Sequence, residues 1–498
     1  MLERGKTFKL LSVLLVLSFF VCCILGGGFN ETLNPEEAEA GNKFPKYVIL
    51  LIGDGMGVSQ IQAAEYFLQE KTGDPNAKLT MNTLPVSGFI TTHSANSLIT
   101  DSAAAGTALA SGFKTNNRMI GKLPDGRNIK TLLEGAEEKG KATGIVTSTR
   151  VTHATPAVFM AHNEHRNNEN EIAEDIFNSG VDFLAGGGIR HFVPKDWQWG
   201  RSKRKDNRNL IQEFHENGYR IFLDKYSTDD FRNYKPVAAE RVVALFTPSH
   251  LPYEVDRQNN NETPSLSELT EKALEVLKIH DRRDGKGFFL MVEGGRIDHA
   301  CHANDPIATI HDTLEFDRAV KKVYEFYKKY PNDTLFVVLS DHETGGMGLG
   351  YGKNYFMNME SLLNAKVSAA DTLQKIYTGD RTATYKYLAE NYGLTNLTDE
   401  EKAAFEKAMD IIDNKVETKA YGGYNPVGMT AAHVISKRAN LFWTSWAHTA
   451  DPVPVNAIGV GANNFAGFKD NTDIAKELAK LMRVELGIID NPAYKKAS

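Results

Sequence analysis

Several short runs in this chain are apolar almost throughout rather than at alternate positions. Tyr47-Val48-Ile49-Leu50-Leu51-Ile52, Phe288-Phe289-Leu290-Met291-Val292 and Leu335-Phe336-Val337-Val338-Leu339 are the longest, and Gly144-Ile145-Val146-Thr147 and Ala457-Ile458-Gly459-Val460 are shorter examples. A strand with one wetted face alternates polar and apolar residues. An uninterrupted run means burial on both faces, which predicts a mostly parallel sheet covered by helices. The expected fold is therefore three-layer α/β/α with a large, mostly parallel central sheet. A helix is predicted after Asp305-Pro306, where Ile307, Ile310, Leu314, Val320, Val323 and Phe326 recur on a 3.6-residue stripe. From about 352 to 430 the texture changes to polar helical segments rich in Lys, Glu, Ala and Tyr. This stretch reads as a helical insertion over the sheet's edge rather than an independent domain. At 498 residues and 42% hydrophobic, the chain can fill a core of that size.

The N-terminus reads as a targeting segment. Arg4, Lys6 and Lys9 precede an apolar run from Leu10 to Leu25, followed by Gly26, Gly27 and Gly28. A basic start, a short apolar stretch and small residues describe a secretory signal over 1–28, with a retained membrane anchor as the rival. Bulky Phe20 and Val21 before Cys22 and Cys23 disfavour lipid attachment there. Residues 29–44 read as a polar tether, and 45–498 as the body, exported to a periplasmic or extracellular space. With the signal removed only Cys301 remains, so the body forms no internal disulfide. A formal charge of −6 without a basic block gives no nucleic-acid-binding surface.

Three of the apolar runs end in acidic residues. Asp54 follows the first, Glu293 the second, and Asp341-His342 the third. Ligands of a parallel sheet bind beyond the carboxyl ends of its strands, so side chains distant in sequence would share one crevice. A single Asp after a strand is usually a turn former or cap; three, some beside histidines, are not explained that way. Glu293-Gly294-Gly295-Arg296-Ile297-Asp298-His299-Ala300-Cys301-His302 is the densest cluster. Asp298 and His302 are four apart, which places them on one helical face. His448 adds a late imidazole. Carboxylates with imidazoles suit Zn²⁺, and an all-oxygen neighbour set suits Mg²⁺.

A second centre is Thr100-Asp101-Ser102-Ala103-Ala104-Ala105-Gly106-Thr107-Ala108. Asp101 and Ser102 open a small-residue helix whose free N–H groups favour an anion; an ordinary N-cap is the bland alternative. No G-x-S-x-G elbow surrounds Ser102 and no P-loop is present, so activation of this hydroxyl would fall to a metal.

Asp54-Gly55-Met56-Gly57, Asp101-Ser102-Ala103-Ala104, His153-Ala154-Thr155-Pro156, Glu293 to His302, Asp341-His342-Glu343-Thr344-Gly345-Gly346 and His448-Thr449 follow the order found in alkaline phosphatases. The resemblance runs from about Tyr47 to Ala466. It implies phosphate monoester hydrolysis through a phosphoserine intermediate, two Zn²⁺ and one Mg²⁺ per chain, and a homodimer. By this resemblance Asp298, His302 and His448 hold one Zn²⁺. Asp54, Asp341 and His342 hold the second, beside the Ser102 nucleophile, and Asp54 bridges to a Mg²⁺ bound by Thr155 and Glu293. Arg166, after His162-Asn163-Glu164-His165, matches the arginine that grips phosphate through its planar fork.

His153 and His299 stand where the enteric bacterial branch of the family carries Asp and Lys; both, with Asp101, are candidates for supporting contacts around the metals. Three divalent ions, four carboxylates, Arg166 and a Ser102 alkoxide leave roughly +2, which a monoester dianion neutralises and a diester does not. The expected partner is thus a small-molecule phosphate monoester. A phosphodiesterase of the same superfamily and an exported phosphate-binding protein without turnover are the alternatives. A sulfatase would need a C-x-P-x-R segment, which Cys301-His302-Ala303 does not supply.

Overall fold

The computed structural model describes residues 44–489 apart from 199, 354 and 416–418. The signal over 1–28 and nearly all of the tether over 29–44 lie outside the described residues. Among the described residues no helix is long and apolar enough to cross a membrane.

The centre is a 10-stranded sheet. From one edge to the other its strands are Gly467–Asp470, Val86–Thr91, Val453–Gly459, Thr334–Leu339, Tyr47–Ile52, Phe288–Glu293, Ala142–Arg150, Phe183–Gly187, Arg241–Leu245 and Tyr219–Leu223. Tyr47–Ile52 is central and buried at every residue, as are Phe288–Glu293 and Thr334–Leu339 beside it. Their side chains divide between two cores. Tyr47, Ile49 and Leu51 face a layer that includes the helices Val58–Thr72, Leu266–Asp284 and Pro306–Lys329. Val48, Leu50 and Ile52 face the opposite layer, with Ser102–Ser111, Leu132–Glu138, Glu169–Ser179 and Asn471–Met482. The fold is three-layer α/β/α, held mainly by apolar burial on both faces at about 1.5–3 kcal/mol per large side chain.

One strand departs from the simple expectation. Val453–Gly459 runs antiparallel to both neighbours, Val86–Thr91 and Thr334–Leu339, and its buried residues alternate with half-buried ones. Of the apolar run at Ala457–Val460 only Ala457–Gly459 belongs to the strand, as its tail; Pro454 and Asn456 carry the alternation. Reversal puts the start of this strand beside the carboxyl ends of its neighbours, with Val455 opposite Leu339. Between 352 and 430 the described chain forms the helices Arg381–Tyr392 and Asp399–Asp413, short 3₁₀ turns and the start of Pro426–Ala439, with no strand.

The amino end of the sheet is pinned by one buried carboxylate. Asp281 accepts hydrogen bonds from Tyr47 Oη (2.8 Å), Lys278 Nζ (2.8 Å) and the Gly287 amide (2.9 Å), and pairs with Lys46 at 3.1 Å. Burial alone would raise its pKa, but these donors together hold it down at about 2. Asp281→Ala is expected to lose about 2 kcal/mol in a denaturant titration at neutral pH. Because the folded pKa lies below the unfolded value of about 3.9, this stabilisation is complete above that value and fades as pH falls toward 2. The gap between parent and variant should therefore close over that range; a gap independent of pH would contradict the assignment.

Candidate active site

Strand register brings the acids together. Ile52 lies opposite Glu293 on one side and Leu339 on the other, and Glu293 lies opposite Thr147. Asp54 and Asp341 each follow by two residues the end of adjacent strands, so the three carboxylates reach one crevice. Gly55, at φ +73°, turns the chain there, and a Cβ on it would fall 2.8 Å from Asp298 Cα. Only glycine fits that approach without displacing the short helix Arg296–His302.

Within the crevice the donors fall into adjoining groups. Asp298 Oδ1 lies 3.3 Å from His302 Nε2 and 3.5 Å from His448 Nε2, and the two imidazole nitrogens are 3.1 Å apart. His342 Nε2 is 3.4 Å from Asp54 Oδ1 and 3.3 Å from Asp341 Oδ2. His342 also falls within ligand distance of Asp298 and His448, so it lines the wall between the two groups. A third group joins Asp54 and Glu293 to His153, while Thr155 donates to Asp54 Oδ2 at 3.2 Å. His153, expected as a supporting residue, thus stands beside the third group.

The imidazoles are oriented from behind. His302 Nδ1 donates to the Trp446 carbonyl at 2.7 Å and His448 Nδ1 to the Thr100 carbonyl at 2.8 Å. A carbonyl can only accept, so Nδ1 carries a proton in both rings and Nε2 is the atom turned toward Asp298. The antiparallel strand explains how His448 arrives: its loop precedes Val453 and bridges to Thr344.

Ser102 opens the helix Ser102–Ser111, and Asp101 caps it by accepting from the Ala104 amide at 3.0 Å. Ser102 Oγ lies 3.3 Å from His342 Nε2. Arg166 donates through Nη1 to Asp101 Oδ2 at 3.1 Å, and its Nη2 lies 3.1 Å from His153 Nε2, which accepts. His299 packs its ring against His153 and His250, with centroids 5.2 and 4.3 Å away.

The electrostatics are severe. Asp54, Glu293 and Asp341 are fully buried and Asp298 is 3% exposed. Burial, then the charge of neighbouring carboxylates, pushes Asp54 and Asp341 well above the ordinary range. Burial raises Glu293 to about 7 against hydrogen bonds from Thr147 and Thr149. Burial opposes ionisation of Asp298 too, but His302, His448 and His342 outweigh it and hold its carboxyl low. Burial also lowers the pKa values of His153, His342 and His448, which favours the neutral form that metal ligation requires. Asp54 Oδ1, Asp341 Oδ2, Glu293 Oε1 and His153 Nδ1 are buried without a hydrogen-bond partner. Unpaired buried oxygens of this kind are costly, and divalent cations answer both the repulsion and the missing partners. The donor set fits metal ions.

Several contributors had weak signals in the sequence. Thr147 and Thr149, two apart at the end of one strand, share a face toward Glu293. Thr344 donates to Asp298 Oδ1 at 2.6 Å from inside the Asp341–Gly346 motif. His250 is isolated, and only its position after the strand Arg241–Leu245 hints at the crevice.

Comparison with known proteins supplies the context for this crevice. The family model for alkaline phosphatase matches residues 45–484. Alkaline phosphatase 3 of Bacillus subtilis (strain 168) is 35% identical over 495 residues, which cover 97% of this chain and 98% of its own length. The crystal structure of Thermus thermophilus alkaline phosphatase superposes with a TM-score of 0.77 at 30% identity, covering 90% of this chain and 93% of its own. A histidine-to-aspartate variant of the TAB5 alkaline phosphatase, solved with Mg bound in its M3 site, does so with a TM-score of 0.61 at 27% identity, covering 89% and 99%. Buried acids and imidazoles converge beside a helix-opening serine, and the likeness spans nearly all of the described chain: the chain belongs to the alkaline phosphatase family.

Proposed function

We propose that this protein hydrolyses phosphate monoesters to an alcohol and inorganic phosphate, with Ser102 as nucleophile and zinc as the essential metal. The observation that carries the reading is the position of Ser102 Oγ, 3.3 Å from His342 Nε2 at the wall shared by two ligand groups. Asp298, His302 and His448 would hold one Zn²⁺, and Asp54, Asp341 and His342 the other. Asp54, Glu293 and Thr155, with His153 at their side, would hold the third ion. Mg²⁺ is assigned there because oxygen donors dominate the group. When bound, the divalent ions supply Lewis acidity that lowers hydroxyl pKa values and neutralises developing oxyanion charge.

The chain's own groups then account for the rest. Arg166 binds two phosphoryl oxygens through its fork, and Asp101 and His153 hold that fork in place. Free N–H groups at the head of Ser102–Ser111 face the same anion. Ser102 Oγ, relieved of its proton, forms the Oγ–P bond as the ester P–O bond breaks, and the departing alkoxide takes a proton. Water then attacks the phosphoserine from the opposite side, the Oγ–P bond breaks, and Oγ recovers its proton. Two in-line displacements give net retention at phosphorus.

The same reading makes 1–28 a secretory signal, 352–430 an insertion within one catalytic domain, and the mature protein an exported homodimer.

Ser102→Ala is expected to reduce turnover of an aryl phosphate by on the order of 10³-fold or more. Acid quenching of the parent should trap phosphate on Ser102, readable by peptide mass spectrometry. Trapped phosphate on another residue would refute the nucleophile, and a diester turned over faster than a monoester would refute the substrate class. EDTA should abolish activity, and Zn²⁺ with Mg²⁺ should restore it; full activity in chelator would end the zinc assignment.

A further inference from the structure

The helix Arg296–His302 carries Asp298 and His302 yet has only seven residues, too few to hold its own shape in water. Its position must be imposed from outside. The Arg296 amide donates to Ser148 Oγ at 3.1 Å, tying the helix start to the sheet. The Arg296 side chain does more. Its guanidinium is 6% exposed as a residue, lies 3.6 Å from the centre of the Tyr253 ring, and donates through Nη2 to Asp371 Oδ2 at 2.6 Å. Nη1 meets His299 Nδ1 at 3.2 Å. Since Arg can only donate, Nδ1 accepts, and this contact fixes the His299 ring that packs against His153.

Asp371 comes from the segment between 352 and 430, and two acids, the buried Asp305 and the half-buried Asp256, lock the loop that delivers it. Asp305 Oδ2 accepts from the Ala369 and Ala370 amides at 2.6 and 3.0 Å, while Asp305 Oδ1 caps the helix Pro306–Lys329. Asp256 accepts from the Ser368 amide (2.9 Å), Ser368 Oγ (2.6 Å) and Thr372 Oγ1 (3.0 Å). Ser368 Oγ in turn accepts from the Asp371 amide at 3.1 Å. A rigid loop therefore presents one carboxylate to one buried guanidinium.

We infer that Asp371, acting through Arg296, is a positioning residue that sets the metal affinity of the Asp298–His302–His448 group. The inference rests on the zinc assignment above. Outer partners of metal ligands commonly influence affinity by about 10–100-fold when removed. Asp371 is well suited to a test, because its side chain is 44% exposed and its loss opens no closed cavity. Asp281, at the opposite end of the strands, provides a matched control for stability alone.

The experiment titrates zinc into metal-stripped parent, Asp371→Ala and Asp281→Ala proteins, reading bound zinc by competition with a coloured chelator and melting temperature in parallel. Asp371→Ala should bind zinc about 10–100-fold more weakly than the parent, while Asp281→Ala melts earlier and binds zinc like the parent. Equal zinc affinity in Asp371→Ala and parent, or equal weakening in both variants, overturns the positioning role and leaves the zinc reading standing. A parent that takes up no zinc overturns both.

Discussion

Mutual repulsion among four buried carboxylates governs the architecture of this crevice. Asp54, Glu293, Asp298 and Asp341 are placed by strand register and by a short helix, so no small side-chain movement separates them. Water is excluded from Asp54, Glu293 and Asp341, and their orphaned oxygens have no protein donor. Such an arrangement stands only if cations occupy it or if protons are taken up, and the raised pKa values of Asp54 and Asp341 express that second course. The sheet core makes the arrangement enforceable. Both faces of Tyr47–Ile52 are packed, and the strand ends cannot splay to relieve the strain.

Much of this was legible in the sequence because two different periodicities marked it. Uninterrupted apolar runs identified Tyr47–Ile52, Phe288–Glu293 and Thr334–Leu339 as doubly buried strands, and the acids at their ends then had to converge. The antiparallel strand was harder. Ala457–Gly459 resembles a buried run, but Pro454 and Asn456 belong to the same strand and half-face solvent. Direction matters here, since a parallel strand would have carried the His448 loop to the far end of the sheet. His250 was not legible at all. It approaches His299 through a loop, and nothing in a loop's periodicity reports what its side chains touch.

The segment between 352 and 430 shows why local sequence texture undersells a functional contribution. Its helices read as polar and surface-like, and Asp399–Asp413 buries only Phe405, Ala408 and Met409. Its contact with the crevice passes through the loop at Ser368–Thr372, which has no helical or strand period. What identifies that loop is the convergence of amide donors on Asp256 and Asp305, and both acids lie more than 60 residues earlier. Long-range hydrogen bonds of this kind carry no sequence signal from a single chain.

The histidines around the third group have an electrostatic consequence. His153, His250 and His299 pack ring against ring, and burial with nearby Arg166, Arg150 and Arg296 keeps all three far below their ordinary pKa. They therefore contribute no charge of either sign beside the third group. A cation in the third group would meet the carboxylates of Asp54 and Glu293 and otherwise neutral donors. Asp54 is shared with the neighbouring group, so occupancy of one group changes the charge available to the other. Cations in the two groups would therefore be coupled through a single carboxylate, with no compensating charge from the neutral imidazoles beside it.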